Sequence, residues 1–206
     1  MYDPKAYNSL PSLRQAAERL GEDVRKHLFG EIRQMFLDNN VYEKYGISLL
    51  HKHFPIGEED RLVDCRHTST AWKVGDERDD MVKKYEGLIT PRSFRLWGGL
   101  PVPYEFAFSP TMPMYDAKFE HRVFDLLRGL GLEGVFGLRY LDEYDPNLSM
   151  EITEENANIM MPRGSVPDSS LIEALWVFSP RDDDRCHCRE VCFKKSEGHE
   201  NDHSCG

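Results

Sequence analysis

Short apolar segments separated by turn residues run along the chain from residue 46 to residue 178, and they constrain the fold more than any other feature. Examples are SFRLW at 93–97, YEFAF at 104–108 and ALWVF at 174–178. Aromatic and aliphatic runs of this length, bounded by Gly and Pro, are typical of β-strands. They do not alternate regularly with helices, as the strands of a doubly wound sheet do. The pattern predicts an α+β fold with a mostly antiparallel sheet, N-terminal helices and one later helix.

Three helices are expected beside this sheet. Ser12 and Gln15 match a capping box, which predicts a short helix that ends near Leu20. A second helix is predicted over residues 23–38, and a third over residues 116–128, where glycines end the pattern. The buried stripe of the second helix recurs every four residues, at Val24, Leu28, Ile32 and Phe36.

Composition places the chain among folded globular proteins. The 206 residues, 40% of them hydrophobic, favour a single domain over residues 1–180, followed by a short tail over 181–206. Acidic residues outnumber basic ones by 36 to 26, and the resulting net charge of -10 disfavours nucleic acid and anionic membranes as partners. Met1 to Leu20 contains no apolar run of the kind that a secretory signal needs, so a cytoplasmic location is expected.

The tail predicts a zinc site, because four of the five cysteines and three of the eight histidines lie in it. The spacing C-x3-C-x6-H-x5-C from residue 188 to residue 205 resembles a slightly stretched CCHC zinc knuckle. Other choices of four ligands fit as well, and a tail without metal is the competing interpretation. The candidate ligands are Cys186, Cys188, Cys192, His199, His203 and Cys205.

A second group of candidate ligands lies in a predicted β-hairpin, formed by residues 46–56 and the returning segment 61–74. Residues two apart in a strand face the same side, so His51 and His53 would present two imidazoles together. That side also carries Ile47 and Leu49. The pair predicts a divalent metal site or an acid–base site, and two structural histidines are the alternative.

The run Gly46-x4-His51-x-His53-x4-Glu58 resembles the first metal motif of the cupin superfamily. The resemblance implies that His51, His53 and Glu58 bind Fe, Mn, Ni or Zn inside a small β-barrel, with dioxygenase, isomerase or decarboxylase activity. No second motif of the P-x-G-x2-H type follows. The wider phrase GISLLHKHFPI…RLVD…TAW is also similar to uncharacterised fungal intracellular proteins, a likeness that implies no activity.

Two functions follow as expectations. In the first, the chain is an enzyme that acts on a small neutral or cationic organic molecule, because its negative surface repels anions. A divalent metal at the histidine pair would assist catalysis, and a structural zinc would order the tail. In the second, the histidines are structural, and the zinc-ordered tail makes the chain a non-catalytic protein-interaction module. The residues expected to form the catalytic pocket are His51, His53, Glu58 and His67.

Overall fold

The expected strands are present, and they close into a barrel. A computed structural model of the chain describes residues 2–74, 88–141, 148–162, 164, 166–180 and 187–193, except for the side chains of residues 168 and 187–189. The described residues contain ten strands, with bounds β1 Tyr45–Leu49, β2 Asp60–Cys65, β3 Thr68–Lys73, β4 Leu88–Trp97, β5 Leu100–Ser109, β6 Phe136–Tyr140, β7 Met150–Glu154, β8 Ala157–Met161, β9 Leu171–Val177 and β10 His187–Phe193.

The strands follow the order β1-β6-β4-β5-β2-β3-β8-β7-β10-β9 around the barrel, and β9 pairs with β1 to close it. Neighbouring strands are antiparallel except for the pairs β2–β5 and β7–β10, which are parallel. Closure gives each of the ten described strands a backbone partner on both sides, so none of them is an open sheet edge. The prediction of a mostly antiparallel sheet with a barrel-like core is confirmed.

Short helices surround the barrel, and a 3₁₀ turn covers Asp168–Ser170. Ser12 and Gln15 form the predicted capping box of the helix Leu13–Ala17, and the Asp116 side chain caps the helix Ala117–Gly129. A π-helical turn, Leu28–Ile32, joins the helix Glu22–His27 to the helix Arg33–Asp38. No helix in the described residues is long and apolar enough to cross a membrane. The helix bounds are α1 Pro4–Asn8, α2 Leu13–Ala17, α3 Glu22–His27, α4 Arg33–Asp38 and α5 Ala117–Gly129.

The larger hydrophobic core lies between the helices and the outer surface of the barrel. Phe36 of α4 and Phe119 of α5 meet there edge to face, with ring centroids 5.1 Å apart. Ile47 and Leu49 of β1 belong to this core. The opposite side of β1 faces the barrel interior, where Ser48 makes a 3.1 Å hydrogen bond with a tyrosine hydroxyl of β5. Along β1, the apolar side chains therefore pack against the helices on the outer face of the barrel, and the polar Ser48 points into the interior.

Helix α1 closes one end of the barrel. The Arg95 guanidinium donates a 2.6 Å hydrogen bond to the carbonyl of Ala6, and the His53 backbone N–H donates to the Tyr7 hydroxyl at 3.1 Å. Apolar packing at this end excludes water and holds the segment after β1 against the helix. The cluster consists of Tyr7, Leu10, Leu50, Phe54, Ile56, Leu62 and Tyr104.

The predicted hairpin between residues 46–56 and 61–74 is wrong. Strand β1 ends at Leu49 and pairs with β6 and β9, whereas the second segment folds back on itself as the β2–β3 hairpin. Arg66 and His67 make its turn with φ angles of 55° and 85°, the left-handed conformation that suits the twist of a two-residue hairpin. Such turns usually contain Gly or Asn, so the residue types gave no signal of this one.

The barrel includes part of the segment that the sequence assigned to the tail. Strand β10 lies within residues 181–206 and pairs with β9 on one side and β7 on the other. Its register places Cys192 beside Glu151 of β7 and Ile172 of β9. The barrel therefore includes the described residues 187–193, and backbone pairing holds this strand in place.

Candidate metal centre inside the barrel

Charged side chains from distant parts of the chain meet inside the barrel. Arg139 of β6 lies 3.9 Å from Glu151 of β7 and 3.0 Å from Glu190 of β10. His53 lies 3.8 Å from Glu105 of β5 and 3.9 Å from Glu151. Because β6 and β5 are not neighbours of β7 in the sheet, these contacts cross the interior. Burying charge is costly unless it is paired or binds an ion, so the cluster marks a candidate site.

Three potential metal ligands converge at its centre. His51 Nε2, a Glu151 carboxylate oxygen and Cys192 Sγ all lie within 4.8 Å of one another, and all three residues are buried. Cys192 Sγ is 3.4 Å from His51 Nε2 and donates a 2.9 Å hydrogen bond to Glu151 Oε2. The parallel register of β7 and β10 sets Cys192 beside Glu151, and the segment that follows β1 brings His51 to both.

The tautomer of His51 leaves its inner nitrogen free to act as a ligand. Its Nδ1 lies 2.9 Å from the carbonyl oxygen of Leu49. A carbonyl only accepts, so Nδ1 carries the proton, and the Nε2 lone pair points toward Cys192. Burial, with a smaller effect of His53, lowers the pKa of His51 to about 4, so the imidazole is neutral at neutral pH. Neutral imidazole held by a backbone carbonyl is the usual state of a metal-binding histidine.

Glu151 and Cys192 hold opposite protonation states. Burial on its own would raise the pKa of Glu151, but the nearby His53 and Arg139 hold that pKa well below its usual range. Burial and the adjacent Glu151 carboxylate raise the pKa of the Cys192 thiol. Without a cation, the thiol therefore stays protonated and donates a hydrogen bond to the carboxylate. A metal ion bound between them would displace that proton.

A second pair of residues, His53 and Glu105, lies beside this group. The His53 ring stands edge to face with the His51 ring, with centroids 4.8 Å apart. Its Nδ1 is 3.4 Å from Thr153 Oγ1, and its Nε2 lies near both carboxylates. The other oxygen of Glu105 accepts a 2.7 Å hydrogen bond from Ser93 Oγ. That bond orients the carboxylate toward the interior.

The group formed by His51, Glu151 and Cys192 can bind a metal ion. Nitrogen, oxygen and thiolate sulfur bind Zn²⁺ at about 2.0–2.3 Å, which places two tetrahedral ligands about 3.3–3.7 Å apart. The 3.4 Å between His51 Nε2 and Cys192 Sγ lies in this range. Three protein ligands leave one position of a tetrahedral ion open to another molecule.

A cleft of about 800 Å³ opens at the end of the barrel opposite α1. Its walls come from the first residues of β4, the last residues of β5 and the segment after β5, and they include Phe108 and Met112. The buried Glu190 also lines it and contacts Arg139, which in turn contacts Glu151. Glu190 and Arg139 therefore connect the wall of the cleft to the candidate metal ligands, which do not line the cleft themselves.

The structure brings together two of the four residues predicted for the catalytic pocket. His51 and His53 both lie inside the barrel. Glu58 is exposed in the turn before β2, because the chain runs to the surface after the segment that packs on α1. His67 is exposed in the β2–β3 turn, where it lines the cleft. The carboxylate beside the histidines comes from Glu151 instead of Glu58.

Of the six residues predicted to bind zinc in the tail, Cys192 lies in the barrel. Its side chain is buried and contacts His51 and Glu151, so this cysteine is part of the interior group and not of a knuckle in a free tail. Cys188 belongs to β10, but its side chain is outside the described part of the chain. The others that lie outside the described residues are Cys186, His199, His203 and Cys205.

Sequence reasoning missed Glu105, Arg139 and Glu151. The segment MEITE of β7 alternates apolar and polar side chains, and this period of two was the one available signal. Alternation identifies a strand with two unlike faces but does not say which face points inward. When the topology is unknown, a strand face with charged side chains is expected to face solvent. Glu105, Arg139 and Glu151 therefore gave no indication of a site.

Comparison with known proteins adds no relative. No family model matches the sequence, and no curated protein or solved structure is significantly similar to it.

Proposed function

We propose that the chain is a metal-dependent enzyme that acts on a small organic molecule inside the barrel. The observation that carries the proposal is the convergence of His51, Glu151 and Cys192, three buried ligands of different chemistry within 4.8 Å. Each comes from a different part of the chain, so a chance alignment along one element does not explain the group. A cleft at one end of the barrel has the buried Glu190 in its wall, and Glu190 contacts Arg139, which contacts Glu151.

Zinc is the proposed ion. The set of one imidazole, one carboxylate and one thiolate contains borderline and soft donors, which favour Zn²⁺ over Mg²⁺ or Ca²⁺. Two other interior carboxylates lie near the group: Glu105 is 3.8 Å from His53, and Glu190 is 3.0 Å from Arg139. A bound cation would balance this negative charge, and it would also replace the proton of the Cys192 thiol.

The arrangement favours catalysis over a purely structural role. Structural zinc sites usually have four protein ligands, whereas catalytic sites keep one position open for water or substrate. When bound, the metal would polarise a substrate oxygen. Around it, Arg139 would orient Glu151 and the backbone carbonyl of Leu49 would fix His51.

The expected substrate is small and uncharged or cationic. The cleft volume of about 800 Å³ lies within the range of small-molecule sites. Its walls mix apolar side chains such as Phe108 with the buried Glu190 carboxylate. The chain's net charge of -10 disfavours anions at long range.

Metal analysis of the purified chain tests this proposal. We expect at least one tightly held zinc ion per chain that is lost in His51→Gln and in Cys192→Ser, because each variant removes one ligand. His67→Gln and Cys65→Ser are matched controls outside the interior group and should keep the full metal content. Equal metal content in all five proteins would contradict an interior zinc centre.

The same measurement decides between the enzyme and the protein-interaction module. In the module, zinc is held by tail residues, so His199→Gln and His203→Gln would remove it and His51→Gln would not. A tail ion in addition to the interior one is compatible with the enzyme, and its ligands would come from the tail residues other than Cys192. Loss of metal only in the tail variants would favour the module.

A further inference from the structure

We propose that the turn between β2 and β3, formed by Arg66 and His67, binds an oxyanion group of a small molecule in the cleft. The oxyanion is a carboxylate or a phosphate, because guanidinium and imidazole N–H groups donate hydrogen bonds to the oxygens of both. Both residues are exposed, and both line the cleft. This inference goes beyond the proposed function, since it concerns the cleft and does not depend on a metal ion.

The backbone of this turn adopts a conformation that its residue types disfavour. Arg66 and His67 have φ angles of 55° and 85°, in the left-handed region that is unfavourable for a residue with a side chain. Two-residue hairpin turns with these angles usually consist of Asn-Gly, Asp-Gly or Gly-Gly. The chain therefore keeps a guanidinium and an imidazole in this turn at a cost in stability, and strained residues of this kind are concentrated at functional sites.

The β4–β5 turn has the same geometry and the residues that suit it. Gly98 and Gly99 join these two strands with φ angles of 60° and 81°, close to those of Arg66 and His67. The indole of Trp97, next to that turn, donates a 3.2 Å hydrogen bond to the side chain at the start of α1. The glycine turn therefore lies at the end of the barrel that α1 closes. The turn at the cleft is the one that carries two anion-binding side chains.

The described lining of the cleft is more basic than the chain as a whole. Three of its residues are Lys or Arg, three are acidic and one is His67, whereas acidic residues outnumber basic ones by 36 to 26 in the chain. The lining carboxylate of Asp64 forms an ion pair with Arg92. The lining carboxylate of Glu190 is 3.0 Å from Arg139. Two of the three acidic side chains are therefore next to a guanidinium, which favours an anionic group on the occupant.

Backbone hydrogen bonds hold the turn in position. The backbone N–H of Met160 in β8 donates a 2.8 Å hydrogen bond to the carbonyl oxygen of His67. Cys65 and Thr68 pair across the strand ends that flank the turn. Because the backbone is already ordered by these contacts, binding at this turn does not require the loop to be ordered at the expense of affinity.

An oxyanion group at this turn is compatible with the negative charge of the chain. The net charge of -10 acts at long range and disfavours molecules that are anionic overall. Salt screens such effects beyond about 8 Å at physiological ionic strength, whereas a bound group contacts the turn directly. A molecule that balances its oxyanion group with a positive group meets both conditions, so its net charge agrees with the substrate class proposed above.

Titration of the full chain with sodium phosphate, and separately with sodium acetate, tests the proposal. Sodium chloride keeps the ionic strength constant, and NMR follows the backbone amide resonances of residues 66–68. We expect saturable shifts with at least one of the two anions. Tighter binding of phosphate would identify a phosphate group, and tighter binding of acetate would identify a carboxylate. If neither anion gives a saturable shift, the proposal is overturned.

The decisive variant is Arg66→Asn/His67→Gly, which places a favoured residue pair in the turn. Its melting temperature is expected to rise by about 2–4 °C, because the left-handed angles no longer oppose the residue types. Its affinity for the anion should fall about tenfold or more, because the guanidinium and the imidazole are lost. A melting temperature that does not rise, or an affinity that does not fall, would each overturn the proposal.

Lys73→Gln is the matched control. Lys73 is exposed at the other end of β3, outside the cleft lining, and its replacement removes one positive charge as Arg66→Asn does. This variant should bind both anions as the unmodified chain does. An equal loss of affinity in Lys73→Gln would show that overall charge governs the binding, which overturns the proposed site. Zinc content should be the same in all of these proteins, so failure of this proposal leaves the proposed zinc centre standing.

Discussion

Cys192 Sγ donates a hydrogen bond of 2.9 Å to Glu151 Oε2, and the two residues lie side by side on the parallel strands β10 and β7. The bond joins a proton donor and an acceptor that both become metal ligands when that proton leaves. It also ties the last described strand of the barrel to the centre of the interior. Metal binding and barrel stability are therefore expected to be coupled.

Removal of metal should destabilise the chain. A ligand that binds only the folded state, at about a thousand times its dissociation constant, adds about 4 kcal/mol to the free energy of unfolding. Chelator-treated protein is expected to unfold at lower urea concentration than zinc-loaded protein, and zinc should restore the midpoint. In Cys192→Ser the two midpoints should be much closer together. Identical midpoints for the unmodified chain with and without zinc would contradict the coupling.

Loss of Arg139 should be strongly destabilising. Its guanidinium contacts Glu151 at 3.9 Å and Glu190 at 3.0 Å inside the barrel. Removing one partner of a buried ion pair leaves uncompensated charge and costs about 3–5 kcal/mol. Arg139→Met is therefore expected to lower the free energy of unfolding by that amount. Adding Glu190→Gln should recover part of the loss, and a purely additive double variant would argue against the pairing.

Acid should destabilise the metal-free protein through His51. Its pKa is about 4 in the folded state and about 6.5 when unfolded, so between these values the unfolded state binds more protons. As pH falls through this window, the free energy of unfolding should drop by up to about 3 kcal/mol. Denaturation of His51→Gln in chelator, measured at several pH values, should show a flatter dependence. An unchanged slope would contradict the buried neutral imidazole.

Gly137 should not tolerate a side chain. A Cβ atom there would lie 2.7 Å from the backbone carbonyl oxygen of Phe94, so β4 and β6 would have to separate. Overpacking of this kind costs about 1–3 kcal/mol. Gly137→Ala is expected to lower the melting temperature, whereas Gly134→Ala, which meets nothing within 4 Å, should have little effect. Equal melting temperatures for the two variants would show that the strands adjust freely.

Features that depend on neighbouring residues were predictable from the sequence. The capping box of Ser12 and Gln15 and the cap at Asp116 use residues three apart, so their signals are complete in a short window. His51 and His53 were recognisable as a pair because both lie in one three-residue stretch. The environment of the two histidines could not be predicted, because the strand ends at Leu49, before His51. Ile47 and Leu49, expected on the same side as the histidines, pack against the helices instead.

Features that depend on the barrel topology could not be predicted. Glu105, Glu151 and Cys192 reach the histidines only because β5, β7 and β10 close around the same interior. The Cys192 residue looked like a tail ligand because cysteines surround it in the sequence, and nothing local indicates that β10 pairs with β9. The β2–β3 turn was missed since Arg66 and His67 adopt left-handed angles without Gly or Asn.

His51 and Cys192 are 141 residues apart in the chain, yet their side chains touch. During translation, a growing polypeptide that has not yet reached Cys192 lacks one donor of the proposed zinc centre. The ion would then be captured only after strand β10, which carries Cys192, has been synthesised. The availability of zinc would act late, on maturation and retention of the native state, and not on the early steps of collapse.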